Sequence, residues 1–297
     1  MQETHCGINA EQADYRYKAV IVGGSGGIGK ALALELAERS IDLSIFGRSQ
    51  DKLNKLADEI EAKHGAHVNN KRHEQGKERG QDRRDQYRND QHERVKVCPA
   101  SLDPDDTSLK RFLENQLKAE LSSADIYIHA LGPFLQKPLA QSTLEDWNSM
   151  LFYNLKLPAL CASLAAEIMA DRWSKSGHET NSAGGVIVLF GGTKTDTIRG
   201  FKTNAVYASA KTGLAVFAKS LAREYAGKGV SVIHVCPGFI ETEYCTEKQK
   251  TAWEKLTASG KLTSTARFAQ MVCDMALSPG VSLLSGSVIT LDEGLIL

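Results

Sequence analysis

Seven short apolar runs punctuate this chain, and helix-forming stretches fill most of the intervals between them. The runs are Lys18–Gly23, Ile41–Phe46, Val95–Cys98, Asp125–Ala130, Gly185–Phe190, Val230–Val235 and Ser287–Leu291. Each is too short for a buried helix and stops at glycine or polar residues, so each reads as a strand covered on both faces. Helices are expected over Lys30–Arg39 and from Val206 to Tyr225, and around two apolar stripes. The stripes are Leu53, Leu56, Ala57 and Ile60, and Leu109, Phe112, Leu113 and Leu117. A longer helix is expected to start at Ser142, which has capping-box spacing to Glu145, and to run toward Met169 with a bend at Pro158. Strand–helix alternation of this kind requires crossover connections, hence a parallel sheet with helices on both faces. The expected fold class is α/β: a three-layer, doubly wound parallel sheet in a single domain over 18–297, preceded by a tail at 1–17.

One segment departs from the alternation. Residues 69–94, and Lys71–Arg94 above all, are charged and polar, with Tyr87 the one large apolar side chain in the latter stretch. Such a stretch buries too little surface to offset its ordering entropy and is expected to be a disordered or loosely helical surface insertion. Lys+Arg and Asp+Glu are both 36 over the whole chain, so no overall electrostatic footprint for nucleic acid or an anionic membrane is expected. No apolar run reaches membrane-helix length and the N-terminus has no signal-peptide pattern. The six cysteines are scattered without a Cys-Xaa-Xaa-Cys pair, as expected for free thiols in a reducing cytoplasm. His64 and His67 stand alone at a polar helix end and read as solvated surface, so no metal is expected.

After the first strand comes Val22–Lys30, reading VGGSGGIGK. Glycines are needed where a strand turns sharply and backbone must approach a pyrophosphate seated on free N–H groups at a helix N-terminus. Two registers fit: Gly24, Gly26 and Gly29, or Gly23, Gly27 and Gly29. In such dinucleotide (Rossmann) units an acid about 20 residues on favours NAD(H). Here Arg48 stands at the end of the second strand, and a guanidinium suits a 2′-phosphate, so NADP(H) is the expected cofactor.

Tyr207 and Lys211 are four apart in VYASAKTG and share a helix face. A nearby ammonium is expected to lower the phenol's pKa and fit it for proton exchange with a carbonyl or alcohol oxygen.

The glycine turn, Arg48, Asn154, the Tyr207/Lys211 pair and Pro237-Gly238 stand in the order and spacing of the short-chain dehydrogenase/reductase family. The chain resembles its NADP-preferring, 3-oxoacyl-ACP reductase-like members over residues 18–297 outside the insertion. The resemblance implies that Tyr207 is the general acid or base, that Lys211 holds the nicotinamide ribose, and that Asn154 holds a water in a proton relay. It implies a nucleotide site built from Gly23, Ser25, Gly26, Gly27, Ile28, Gly29, Arg48, Ser49, Ser101, Leu102, Ala130, Leu131, Gly132, Tyr207, Lys211, Pro237, Gly238, Ile240 and Thr242. It also implies a small-molecule carbonyl or alcohol substrate and a homotetramer or homodimer.

This sequence departs from the family at several places. The family's catalytic serine falls on Gly191 or Gly192; Thr193 is the nearest hydroxyl, Thr195 the next, and Thr193 is either the replacement that orients the substrate oxygen or an ordinary loop residue. Val22, Ser101, His129 and Leu131 replace residues usual around the nucleotide. A degenerate NADP(H)-binding sensor or scaffold is therefore the second expectation. A specificity loop carrying Tyr244, Trp253 and Leu256 is expected between Thr242 and Thr265.

Overall fold

The structure is a computed structural model that describes residues 16–74, 94–176 and 184–295, and of 64–74 the backbone alone. β1 (Lys18–Val22) leads into α1 (Gly27–Glu38), then β2 (Asp42–Gly47), α2 (Gln50–Glu74) and β3 (Val95–Pro99). A helical stretch of α3 (Asp106–Arg111), a π turn (Phe112–Leu117) and α4 (Lys118–Leu121) returns the chain to β4 (Ile126–His129). Next come α5 (Leu144–Leu151), a second π turn (Phe152–Lys156) and α6 (Leu157–Lys175). β5 (Gly185–Phe190), α7 (Ala205–Glu224) and β6 (Val230–Pro237) follow. The chain closes through β7 (Ile240–Glu241), α8 (Glu247–Glu254), β8 (Thr263–Ser264), α9 (Thr265–Ala276) and β9 (Val288–Leu291).

Seven strands form one parallel sheet in the order β3-β2-β1-β4-β5-β6-β9. Alternate residues of each central strand enter different cores, as the two-residue period requires. Ala19, Ile21, Val186, Val188 and Phe190 face a layer that includes Leu32 and Leu36 of α1 and Phe268 and Val272 of α9. Val20, Val22, Ile187 and Leu189 face Phe112, Leu121, Cys161, Ala165 and Leu214 on the opposite side. The result is the expected three-layer, doubly wound α/β fold. Each fully buried Leu, Ile or Phe contributes ~1.5–3 kcal/mol by leaving water.

Two expectations need correction. The capping box of α5 is Thr143 with Asp146, not Ser142 with Glu145: Thr143 accepts from the Asp146 N–H while the Asp146 carboxylate accepts from Thr143. Ser142 instead donates its hydroxyl to the Pro138 carbonyl. The long helix runs past Met169 to Lys175 and is broken by the π turn just before Pro158. Proline lacks the N–H that an α-helical Asn154 carbonyl would accept, and the chain absorbs the missing bond by widening one turn. Residues 69–74 of the insertion have helical backbone that continues α2, and 75–93 lie outside the described residues. Among the described residues no helix is long and apolar enough to cross a membrane.

Candidate active site

The sheet order places β1 beside β4, yet β1 continues to β2 on its other side. Connections leave this pair in opposite directions and open a crevice at its C-terminal edge. On one wall is the glycine turn. Gly23 and Gly27 have φ of +89° and +52°, a region costly for residues with a Cβ. Gly29 fits against the backbone of Gly23, where a Cβ would lie 2.9 Å from the carbonyl carbon. Positive φ thus falls on Gly23 and Gly27, and the tight backbone contact on Gly29. Gly26, extended at φ −171°, is the N-cap of α1 and makes no side-chain capping bond. Ser25 packs on Gly47, and Ile28 packs against the core beneath.

The opposite wall is the turn after β4. A Cβ at Gly23 would lie 2.5 Å from the Leu131 nitrogen, so the two turns touch. Ala130 donates its N–H to the Val22 carbonyl at 2.8 Å. A Cβ on Gly132 would lie 3.1 Å from Lys211 Nζ and would also strike Asn154 Oδ1. Asn154 is fully buried on the π turn, donates its amide to the Pro133 carbonyl at 3.1 Å, and leaves Oδ1 without a partner. Lys211 is buried one helical turn beyond Tyr207 on α7 and donates to the Phe190 carbonyl at 2.8 Å. A Cβ on Gly192 would lie 2.8 Å from the Tyr207 hydroxyl. Asn154, Tyr207 and Lys211 thus gather at the C-terminal ends of β4 and β5, beside the glycine turn.

The electrostatics differ from the sequence expectation. Burial, with the nearby Cys236, pushes the Tyr207 phenol well above its ordinary value rather than below it. Burial pushes Lys211 down to about 8. Lys211 Nζ stands 5.9 Å from the Tyr207 ring centroid, and its bond goes to Phe190. Desolvation therefore outweighs the ammonium's pull on the phenolate. The phenol keeps its proton, which is the form a proton donor needs.

The other expected residues make contacts of their own. Arg48 is exposed, with its guanidinium carbon 6.0 Å from the Tyr153 ring centroid. The Ser49 hydroxyl accepts from the Lys52 N–H. Ser101 donates to the Asp103 carboxylate, while Leu102 is buried in the core. The Thr193 hydroxyl donates to the Gly238 carbonyl at 3.3 Å, which ties it to the loop after β6. A Cβ on Gly238 would lie 2.7 Å from the Asp292 Cα. Ile240 is buried on β7, and Thr242 approaches Gly27 at van der Waals distance. Pro237 ends β6. His64 and His67 lie on the α2 backbone, with side chains outside the described set.

Phe134 and His234 are not among the sequence candidates, whereas Thr195 is the next hydroxyl after Thr193 and His129 ends β4. Phe134 meets the Tyr207 ring edge-on. Thr195 is fully buried and its hydroxyl bonds both the N–H and the carbonyl of Gly192. His234 is buried with both ring nitrogens unpartnered, His129 is buried with Nδ1 2.8 Å from the Tyr127 hydroxyl and Nε2 unpartnered, and burial with the nearby Lys211 charge pushes both down to about 3. His129 and His234 lie on strands of the central sheet, but nothing local marks Phe134.

An anion cradle at a helix N-terminus, a buried unpartnered amide oxygen and a buried ammonium at one crevice suit a nucleotide with phosphates and ribose hydroxyls. Comparison with known proteins agrees. Residues 75–296 match the family model described as enoyl-(acyl carrier protein) reductase, and 17–75 match the short chain dehydrogenase model. A 3-oxoacyl-[acyl-carrier-protein] reductase of Synechocystis sp. is 24% identical, with 94% of this chain and 96% of that protein covered. Carbonyl reductase family member 4 of Xenopus tropicalis is 26% identical, with coverage of 93% and 96%. A short-chain dehydrogenase/reductase from Serratia marcescens superimposes with a TM-score of 0.70 at 22% identity, covering 94% of this chain and 97% of that one. With the fold, the crevice and the family models in agreement, the chain belongs to the short-chain dehydrogenase/reductase family, oxidoreductases that work with an NAD(P)(H) nucleotide.

Proposed function

We propose that this chain is an NADP(H)-dependent reductase of a small-molecule ketone or other carbonyl, able to run in reverse on the alcohol. The observation that carries the reading is the convergence of Tyr207, Lys211 and Asn154 on the backbone of Gly132 and Gly192. When bound, the nicotinamide supplies the hydride. In this reading Tyr207 holds the proton that the carbonyl oxygen receives, and its neutral phenol suits reduction. Lys211 and Asn154 present a donor and an acceptor toward the same space. Arg48, exposed at the end of β2, would meet the 2′-phosphate. The names of the relatives suggest a 3-oxoacyl thioester or a small ketone as substrate. The reading includes a cytoplasmic single-domain protein over 18–297, assembled as a homodimer or homotetramer.

The test is replacement of the phenol oxygen. Tyr207→Phe should abolish NADPH consumption with a competent ketone while NADPH binding, followed by fluorescence, stays intact. Full turnover in that variant refutes the role of Tyr207.

A second reading, a nucleotide-binding sensor or scaffold without turnover, has a specific observation in its favour. Gly191 and Gly192 carry no hydroxyl, and the Thr193 hydroxyl is committed to Gly238. Loss of one such donor costs about 10²–10³ in rate. NADPH binding without consumption across a broad carbonyl panel would select this reading.

A further inference from the structure

The anion cradle at the start of α1 is filled from within the chain. Glu243 Oε1 accepts the Gly27 N–H at 2.8 Å, across 216 residues of sequence. Gly27 is the first residue of α1, so this N–H belongs to the helix end that carries positive dipole. A Cβ on Gly26 would lie 3.0 Å from the same Glu243 oxygen and 3.3 Å from Tyr244 Cζ. The Tyr244 ring therefore lies across the turn, and Lys52 Nζ stands 5.7 Å from its centroid. Burial alone would raise the Glu243 carboxyl, but the Gly27 N–H, the Tyr244 hydroxyl and the Lys30 charge more than offset this and hold it below the usual range.

The segment that carries these two residues is anchored at both ends. β7 pairs with β8 in parallel, bracketing the loop. Within it, Trp253 of α8 stacks on Phe239 with centroids 4.8 Å apart and planes at 4°. Lys250 holds Glu241 at 2.9 Å and Glu247 at 3.0 Å. The short turn from Thr242 to Cys245 lies between these anchors, closed by the Cys245 N–H on the Thr242 carbonyl. A change confined to that turn would lift Glu243 and Tyr244 from the glycines without unpacking α8.

We propose that Glu243, with Tyr244 beside it, is an internal occupant of the pyrophosphate cradle that the nucleotide must displace in order to bind. The proposal rests on the NADP(H) reading of the crevice. A carboxylate and a pyrophosphate oxygen cannot share one N–H in a site this close, so the measured affinity is the intrinsic affinity multiplied by the fraction of molecules with the strap lifted.

The test compares NADPH binding, by fluorescence titration and stopped-flow association, in wild type, Glu243→Gln, Glu243→Ala and Tyr244→Ala. The amide of glutamine still accepts a hydrogen bond but without charge assistance, so the expected gain is graded. Glu243→Ala should bind about tenfold tighter and associate faster, Glu243→Gln should gain less, and Tyr244→Ala should gain mainly in association rate. Adenosine 2′-monophosphate, which lacks the pyrophosphate, should bind all four proteins alike. Glu247→Gln, which neutralises an exposed carboxylate on the same loop, should leave NADPH affinity unchanged. If Glu243 merely caps α1, both Glu243 variants lose thermal stability and bind NADPH no tighter, which overturns the proposal. An equal gain from Glu247→Gln overturns it too, by assigning the effect to net charge. If no form binds NADPH or NADH, the nucleotide reading itself fails and the proposal falls with it.

Discussion

The rings of Phe134 and Tyr207 meet edge to face, with centroids 5.0 Å apart and planes at 80°. Phe134 is 53% exposed, so this contact rather than burial explains its place beside the site. Edge-to-face pairs are worth ~0.5–1.5 kcal/mol beyond area burial. Phe134→Ala should therefore free the Tyr207 ring and lower kcat by roughly three- to tenfold, with nucleotide affinity unchanged. Phe134→Tyr, which keeps the ring, should restore most of the rate. Steady-state kinetics with a nucleotide titration checks both.

Arg48 is the one charged residue in the tail of β2, from Leu43 to Gln50, and the guanidinium is free to turn toward a 2′-phosphate. In the proposed NADP(H) reading Arg48→Ala should raise KM for NADPH by about tenfold or more and leave KM for NADH nearly unchanged, since only the former offers a 2′-phosphate for a charge-assisted bidentate contact. Parallel kinetics with the two cofactors reads the ratio directly, and an unchanged ratio removes Arg48 from cofactor choice.

Much of this architecture is legible in sequence because its signals are local. Strands such as Gly185–Phe190 are continuous apolar runs, the glycine turn is written in adjacent residues, and Tyr207 and Lys211 stand one helical turn apart. What escapes the sequence depends on distant partners. Nothing near Glu243 tells that its carboxylate reaches Gly27, and nothing near Gly192 tells that Thr195 holds its peptide. The sign of the Tyr207 shift escapes for the same reason: i,i+4 spacing reveals a neighbouring ammonium but not the burial that outweighs it. α9 is a different case. Phe268, Val272, Met275 and Ala276 stand at helical spacing, so that helix is readable locally, although the alternation argument assigns nothing there.

Lys211 makes the stability of the fold depend on alkaline pH in a defined sense. Its folded value is about 8 against an ordinary 10.5, so below pH 8 the native state holds a buried charge that the unfolded chain holds in water. That penalty is complete below pH 8 and fades as pH rises toward 10.5, where both states are neutral. The shift corresponds to the order of 3 kcal/mol. Lys211→Met should thus be more stable than wild type near pH 7, by an amount that shrinks between pH 8 and 10.5. The raised Cys236 thiol acts in the opposite sense at high pH, so the difference between the two proteins, from urea unfolding, is the quantity to follow.

Glu120 anchors the rear of the sheet. Its carboxylate takes Lys18 Nζ at 3.0 Å, Lys96 Nζ at 2.5 Å and the buried Ser44 hydroxyl at 2.6 Å. Burial would raise it, but the bonds from Lys96, Ser44 and Lys18 hold it at about 2. Its contribution is present in full above pH 4.5 and is lost as pH falls toward 2. Glu120→Ala leaves the Ser44 hydroxyl without its partner and should cost ~1–3 kcal/mol at pH 7. The gap to wild type should narrow as the pH is lowered through that window. A pH-independent gap would assign the loss to packing alone.

The resemblance places the family's serine at Gly191 or Gly192, and at Gly192 the structure predicts that adding a side chain is harmful. A Cβ there would lie 2.7 Å from Tyr207 Cε1 and 2.8 Å from its hydroxyl, and Thr195 pins the Gly192 peptide from behind through two bonds. Neither the peptide nor the ring has free space for a simple retreat, because Phe134 meets the ring edge-on. Gly192→Ser should therefore displace the Tyr207 phenol and lower kcat, with Gly192→Ala at least as impaired. If the serine hydroxyl instead supplied a missing donor, it would raise kcat while the alanine variant fell. The ratio of the two variants' kcat values separates the alternatives: close to one for displacement, far above one for a restored donor. NADPH affinity measured alongside should change little, since the clash falls on the phenol rather than on the glycine turn.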